Sequence, residues 1–262
     1  MEQIEVAALQ AVLTLLLGPP MGSFAALLAD RLPRGQPVVF TRSQCERCGS
    51  ILRWWELMPL LSYILLRGRC AQCAARIPAR LWQAELAGLA LAALALWAGL
   101  GLGGAVVFWC LLALILSDLR FYRLPDVLTG ALVLLAIGLA LWPPGAAAWD
   151  WAGLVQAVLG GATGAAAFWA LSAGYRAIRG RAGMGAGDIR LMAGLGALIV
   201  PVAGWHGLAL MTLIAGLSGL VLGLSRAMRR GRGLNRQMRL PFGACLASAT
   251  IFVCAVAGAG LL

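Results

Sequence analysis

The sequence predicts an all-α polytopic membrane protein of about eight transmembrane helices, with a small cytoplasmic four-cysteine zinc-binding domain inserted after the first helix. Of the 262 residues, 61% are hydrophobic and only 12% are charged, which is about half the charged fraction of a soluble domain. Apolar segments long enough to cross a bilayer recur along the whole chain. All 21 basic residues are arginine, and they cluster in every second loop between these segments.

The first span is predicted to start outside the cell, because the chain opens with Glu2 and Glu5 rather than with the basic residues of a cleavable signal peptide. The predicted spans cover about residues 6–29, 84–100, 104–117, 127–142, 151–174, 187–201, 207–224 and 241–262. Pro241 suits the first turn of the last helix. We expect three units, namely the first helix (1–29), a cytoplasmic loop domain (30–83) and the membrane core (84–262).

The loops alternate in charge. Arginines follow the first, third, fifth and seventh spans, and nine of them lie between residues 30 and 83, so these loops are predicted to be cytoplasmic. The outer loops lack arginine, and one of them is predicted to carry Trp205 and His206, the single histidine, in an interfacial rather than a catalytic role. Gly-rich stretches such as Gly160–Gly164, Gly194–Gly196 and Gly216–Gly223 are interpreted as helix-packing faces.

The net charge of +11 does not indicate a nucleic-acid partner. The arginines lie between apolar spans, where they fix topology and contact anionic lipid head groups. No basic face with interleaved aromatic residues is present. The lipid bilayer is therefore the expected partner, and the sequence carries no signal for an oligomeric state.

Four cysteines in the first cytoplasmic loop form two CxxC pairs, Cys45 with Cys48 and Cys70 with Cys73, separated by 21 residues. Two such pairs supply four thiolates in a tetrahedral arrangement, which predicts structural zinc with no open catalytic position. An iron–sulfur cluster or a redox pair stays an alternative, whereas a cytoplasmic position disfavours disulfides. The other three cysteines lie in apolar spans and are expected to pack as small hydrophobes, namely Cys110, Cys245 and Cys254.

Two aspartates have an unusual setting at span ends. Asp118 ends the third span and Asp188 opens the sixth, both on the predicted cytoplasmic side. Two carboxylates in a low-dielectric cleft tend to share one proton, so that one acts as a base and the other as an acid on a water molecule. Glycines at 185 and 187 would let an extended substrate backbone approach Asp188.

Structural alternatives for these carboxylates remain open at this point. Asp118 with Arg120, or Asp188 with Arg190, would form an ion pair at a helix end. Asp126 is a second candidate for the catalytic role of Asp118, although capping of the fourth span explains it adequately.

Several segments together resemble the type IV prepilin peptidase family, whose members are GxGD aspartic membrane proteases. The segments are Gly22-Ser23-Phe24, Asp30-Arg31-Leu32-Pro33, the two CxxC pairs, Leu60-Leu61-Ser62-Tyr63, Arg67-Gly68-Arg69-Cys70, Ser117-Asp118, Leu124-Pro125-Asp126, Gly185-Ala186-Gly187-Asp188 and Pro241-Phe242-Gly243. They occur in the order of the family and cover essentially the whole chain.

The resemblance implies an endopeptidase of the bacterial inner membrane with Asp118 and Asp188 as its catalytic pair. It implies cleavage of the basic leader from type IV prepilins or type II secretion pseudopilins on the cytoplasmic side. It also implies N-methylation of the new N-terminus with S-adenosylmethionine. The chain departs from the family pattern before Glu85, where a Tyr-Pro pair is usual, and within Trp54–Pro59; a peptidase without methylation is therefore the alternative.

Three rival classes explain less of the sequence. A presenilin-like protease shares the GxGD motif but neither the four-cysteine loop nor the Gly-Ser-Phe motif. A transporter or zinc-dependent scaffold leaves Asp118 and Asp188 unexplained. A methyltransferase alone would make both aspartates structural, and Gly183–Asp188 is no nucleotide-binding loop, because no strand precedes it.

Overall fold

The structure, a computed structural model, describes residues 2–38, 42–143, 146, 148–180, 184–229 and 240–262. These residues form eight α-helices: α1 Glu2–Arg31, α2 Leu61–Leu65, α3 Ala79–Trp97, α4 Gly101–Phe121, α5 Asp126–Leu141, α6 Trp151–Arg179, α7 Ala186–Arg229 and α8 Phe242–Gly258. Five of them are long and apolar enough to cross a membrane, and α5 and α8 are shorter apolar helices. The predicted fold class is confirmed. Some residues used in the sequence arguments lie outside the described residues, namely Gly183 and the arginines at 181, 230, 232, 236 and 239.

Helix α7 makes two passes. It contains one residue with a non-helical backbone, Gly204, at φ 66° and ψ −171°. Near the start of α7, Arg190 forms an ion pair with Asp126, and near its end the guanidinium of Arg226 lies 3.5 Å from the hydroxyl of Tyr122. Both ends of α7 therefore lie near the junction between α4 and α5, and the helix folds back at Gly204.

The two arms of α7 correspond to the sixth and seventh predicted spans, so the described residues contain a helical segment at each of the eight predicted spans. The predicted outer loop around Trp205 and His206 is wrong. Both residues are helical and directly follow the bend, because a single left-handed glycine reverses the chain without a loop.

The loops predicted to be cytoplasmic meet on one side of the molecule, which we call the arginine-rich side. At the ends of α1 and α4, Asp30 and Arg120 form an ion pair at 2.9 Å. The start of α8 reaches the end of α4 through a hydrogen bond between Ala244 and Asp118. Together with the contacts of α7, these bonds place six helix ends on this side. They are the ends of α1 and α4, the starts of α5 and α8, and both ends of α7.

Glycines allow two helix pairs to approach closely. A Cβ atom at Gly22 of α1 would lie 2.0 Å from the carbonyl oxygen of Ala84 in α3, and one at Gly160 of α6 would lie 2.4 Å from that of Gly196 in α7. The packing interpretation is confirmed for Gly160 and Gly196. It is wrong for Gly216, which has no neighbouring atom within 4 Å of its Cβ position.

Helix α4 lies largely in the interior of the molecule. Ten of its 21 residues are buried, and Phe108, Leu111 and Leu114 are almost inaccessible. The outer helices instead expose large apolar side chains, for example Leu16 at 67% and Val155 at 56%. Such exposure suits lipid rather than water as the surrounding solvent, so the chain is a multi-pass membrane protein whose central helix carries Asp118 in its last turn.

Candidate active site and metal site

Asp118 is held at the end of α4 by the start of α8. Its side chain is buried, with 6% exposure, and its Oδ2 atom accepts the backbone amide of Ala244 at 2.8 Å. The amide of Gly243 also hydrogen-bonds to this carboxylate. The first amides of a helix have no partner within the helix, so Asp118 satisfies two of them. Pro241 is the N-cap of α8, so the helix begins at Phe242, one position after the predicted start.

Asp188 lies in the first turn of α7. Its backbone amide donates to the carbonyl of Gly185 at 3.1 Å, and its side chain is half-buried. The carboxylates of Asp188 and Asp118 are close enough to interact electrostatically. The fold therefore brings together two acids that come from different helices and distant positions of the chain.

Leu124 lies between the segments that carry the two aspartates. A Cβ atom at Gly187, before Asp188, would lie 3.4 Å from Leu124 Cβ. A Cβ atom at Gly243 would lie 2.9 Å from Leu124 Cδ1 and 3.1 Å from Asp118 Oδ2. Because these two glycines carry no side chain, α7 and α8 can pack closely against Leu124. We call the neighbouring pair of Asp118 and Asp188 the dyad.

The segment that carries Leu124 is fixed from both ends. The hydroxyl of Ser117, which is fully buried, donates to the carbonyl of Arg123 at 2.7 Å. Tyr122 ends α4 in the left-handed conformation, and its amide donates to the carbonyl of Asp118 at 3.0 Å. These bonds fix the path of the chain from Asp118 to Leu124.

The neighbouring arginines have other partners. Arg120 pairs with Asp30, and Arg190 pairs with Asp126. The alternative in which they neutralise Asp118 and Asp188 is therefore wrong. So is side-chain capping by Asp126, because the N-cap of α5 is Pro125 without a side-chain hydrogen bond.

The two glycines of the second aspartate motif differ in exposure. Gly185 is exposed, and a Cβ atom there would lie 3.5 Å from Asp188 Oδ2. Gly187 is half-buried against Leu124. Contact of both residues with a substrate stays a prediction, and Gly185 is the more accessible.

The four cysteines of the loop domain form one cluster. The Sγ atoms of Cys45, Cys48, Cys70 and Cys73 all lie within 4.8 Å of one another, and those of Cys45 and Cys73 are 3.9 Å apart. Tetrahedral zinc with Zn–S bonds of about 2.3 Å requires sulfur atoms about 3.8 Å apart. The cluster is compatible with zinc.

Each cysteine pair has the same backbone turn. The carbonyl of Cys45 accepts the amide of Gly49 at 2.9 Å, and that of Cys70 accepts the amide of Ala74 at 2.9 Å. Gly49 and Ala74 both have positive φ, at 70° and 55°. The two turns thus present their thiols in equivalent positions, as the repeated spacing predicts.

The thiols of the cluster differ in acidity. Hydrogen bonds from Ser50, chiefly from its hydroxyl, lower the pKa of Cys48 to about 6. Although the backbone hydrogen bond of Ala75 lowers it, the other thiols of the cluster raise the pKa of Cys73 to about 11. A cation among the sulfur atoms would favour the thiolate form, and a bound metal provides such an environment.

Comparisons with known proteins identify the family of the chain. Residues 16–99 match the Bacterial Peptidase A24 N-terminal domain, and residues 105–224, which contain both aspartates, match the Type IV leader peptidase family. The chain belongs to this family. No solved structure matches it.

Several curated relatives carry the name prepilin leader peptidase/N-methyltransferase. The protein of Burkholderia pseudomallei strain 1026b is 40% identical over 230 residues, or 85% of this chain and 71% of the relative. That of Pseudomonas aeruginosa is 34% identical over 264 residues, or 90% and 87%. That of Aeromonas hydrophila is 36% identical over 212 residues, or 79% and 69%.

Sequence reasoning missed the amides of Gly243 and Ala244 as partners of Asp118. The signal was present in part, because Pro241 marks a helix start and helix starts carry free amides. No local pattern, however, relates this helix to a carboxylate more than a hundred positions earlier.

Proposed function

We propose that this chain removes the leader from prepilins with Asp118 and Asp188 as its catalytic pair, and then methylates the new N-terminus of the product. The observation that carries the proposal is the meeting of two carboxylates at the end of the buried helix α4, while Arg120 and Arg190, which follow them by two positions in the sequence, pair with other acids. An acid pair without a cation is the arrangement that activates water for hydrolysis.

The geometry supports different roles for the two carboxylate oxygen atoms of Asp118. Oδ2 of Asp118 is engaged by the amide of Ala244, which leaves Oδ1 for a water molecule or a proton. One carboxylate takes a proton from this water as it attacks the scissile carbonyl carbon, and the other carboxyl group protonates the carbonyl oxygen. When the C–N bond breaks, the leaving amine takes a proton from one of the two aspartates. A hydroxyl group of the tetrahedral intermediate gives its proton to the other aspartate as the new carboxyl group forms, which restores the initial protonation of the pair.

We propose that the arginine-rich side faces the cytoplasm and that the chain lies in the bacterial inner membrane, because loops rich in arginine stay on the cytoplasmic side. The leader of a prepilin or secretion pseudopilin would then enter from that side, while the apolar segment stays in the bilayer. Exposed Gly185, beside Asp188, offers backbone without a side chain for the substrate to approach.

We also propose two cofactors. Zinc would be held by Cys45, Cys48, Cys70 and Cys73 and would stabilise the loop domain at about residues 30–83, because a segment of this size has too little core to fold alone. S-adenosylmethionine would supply an electrophilic methyl group for the second reaction.

The function is tested with the purified protein in detergent or proteoliposomes, a leader-bearing prepilin and an isotopically labelled methyl donor. We expect mass spectrometry to show a product that lacks the leader and carries one labelled methyl group on its N-terminal amine. Intact prepilin after prolonged incubation with zinc-loaded protein would refute the peptidase assignment. Cleavage without label would establish a peptidase that does not methylate.

Gly243→Val is expected to lower kcat for cleavage about 100-fold with little change in KM. The added side chain would collide with Leu124 and with Asp118 Oδ2, and a misplacement of about 1 Å at a catalytic group costs a factor of this size. The matched control is Gly130→Ala in α5, where no atom lies within 4 Å of the Cβ position. Equal rates for the valine variant and the control would show that Gly243 does not position Asp118.

A further inference from the structure

Glu85 is a carboxylate that the hydrolytic site does not use. It lies on the second turn of α3 and is half-buried. Its Oε2 atom accepts the backbone amide of Leu60 at 2.7 Å, and the hydroxyl of Ser23 in α1 also hydrogen-bonds to it. The group therefore lies where the loop domain contacts two helices of the membrane core.

Glu85 has no cationic partner among the described residues. The ion pairs formed there join Asp30 to Arg34 and Arg120, Glu46 to Arg80, and Asp126 to Arg190. The groups that bind Glu85 are a neutral amide and a neutral hydroxyl. A carboxylate in a membrane-spanning helix is costly without a counter-charge, so its partner is expected to come from a ligand.

The backbone that faces Glu85 is strained. Leu60 has φ 58° and ψ −46°, and the amide of Leu61 donates to the carbonyl of Pro59 at 2.6 Å. This is a γ-turn with left-handed φ, which is unfavourable for a β-carbon-bearing residue. Strain of this kind persists where the surrounding structure holds it, often at a ligand site. Here it points the Leu60 amide at the carboxylate.

Glu85 is separate from the aspartate dyad. It falls in the region that matches the N-terminal domain, whereas both aspartates fall in the peptidase region. The indole of Trp109 in α4 donates to the carbonyl of Gly88 in α3 at 2.9 Å. This bond marks a common level of α3 and α4. At a rise of 1.5 Å per residue, Asp118 lies about 14 Å from that level along α4 and Glu85 about 5 Å along α3, both towards the arginine-rich side. The two carboxylates therefore lie at different depths.

We propose that Glu85 binds the α-ammonium group exposed by leader cleavage and acts as the general base of the N-methylation step. This inference rests on the proposed function. The ammonium supplies the positive charge that Glu85 lacks, and the hydrogen bonds from Leu60 and Ser23 hold the carboxylate in place.

The methylation step consists of a proton transfer followed by a methyl transfer. The ammonium gives one proton to the Glu85 carboxylate and becomes a neutral amine. The nitrogen lone pair then forms a bond to the methyl carbon of the sulfonium donor, and the carbon–sulfur bond breaks with its electron pair on sulfur, which leaves a neutral thioether. The product is a methylated ammonium group, and Glu85 releases its proton to solvent.

The first test compares Glu85→Gln with the wild type in the assay of cleavage and methylation. We expect cleavage within about twofold of wild type and methylation at least 100-fold slower, because general-base catalysis contributes about 10²- to 10⁴-fold. Glu5→Gln, which removes an exposed acid near the start of α1, should leave both rates unchanged. If the wild type does not cleave prepilin, the proposed function is refuted. If the wild type cleaves and Glu85→Gln methylates normally, only the role of Glu85 is refuted, so the two failures are distinguishable.

The second test measures binding without a methyl donor. A peptide with the N-terminal sequence of the cleaved pilin and a free α-amine should bind Glu85→Gln at least 10-fold more weakly than the wild type, whereas its N-acetylated form should bind both proteins equally. Methylation at the wild-type rate, or equal loss of affinity for both peptides, overturns the proposal. If Glu85→Gln fails to cleave, the role of Glu85 is tested with Glu85→Asp, which keeps the carboxylate. This variant must cleave normally and must still bind the free amine more tightly than the acetylated peptide. Any other result refutes the role of Glu85.

Discussion

Asp118→Asn and Asp188→Asn are each expected to lower the rate of leader cleavage by about four to six orders of magnitude, the loss seen when one member of a catalytic unit is removed. An amide cannot take a proton from water or return it to the leaving amine. The side-chain oxygen that Asp118→Asn retains could still accept the hydrogen bond from Ala244, so the helix contact with α8 need not be lost. The measurement is single-turnover cleavage of a prepilin, followed by mass spectrometry.

Two controls make this result specific. Asp126→Asn removes a nearby acid that is 70% exposed and paired with Arg190, and an exposed pair contributes little, so we expect less than about a fivefold change. The double variant at 118 and 188 should be no slower than either single variant, because the two residues act as a unit. Cleavage that survives in both single variants would eliminate the dyad.

Replacement of Cys48 or Cys73 by Ser is expected to remove zinc and unfold the loop domain. Structural zinc contributes about 10–16 kcal/mol of binding free energy to small domains, far more than the loop can gain from its own core. Elemental analysis should give about one zinc per chain for the wild type and close to none for the variants. Limited proteolysis after arginine should then cut between residues 42 and 80 first.

The control for this prediction is Cys245→Ser, since Cys245 lies in α8 away from the cluster and should keep the full zinc content. Iron in the wild-type protein, or zinc retained in both loop variants, would contradict the zinc assignment.

The spans and the metal cluster were predictable because their signals are local. Apolar length and the alternation of arginines give the passes, and the repeated CxxC spacing gives two equivalent turns that place four thiols together. The reversal of α7 was predicted only as a loop. The sequence from Pro201 to Gly207 has the composition of a loop, whereas the structure needs just one left-handed residue, Gly204.

The partners of the charged groups were not predictable, because they depend on how helices from distant positions pack. Arg120 and Arg190 each follow a candidate aspartate by two positions, which made local ion pairs a reasonable hypothesis. On a helix, however, residues two apart point in different directions. Arg120 therefore reaches Asp30 of α1, and Arg190 reaches Asp126 of α5.

The position of the scissile bond tests the central claim most directly. An experimental structure of Asp188→Asn bound to an uncleaved prepilin in a lipid nanodisc would show it. The account predicts that the carbonyl carbon lies between the side chains at 118 and 188, with one water molecule within about 3 Å of both. A scissile carbonyl outside this gap, or side chains at 118 and 188 too far apart to share one water molecule, would contradict it.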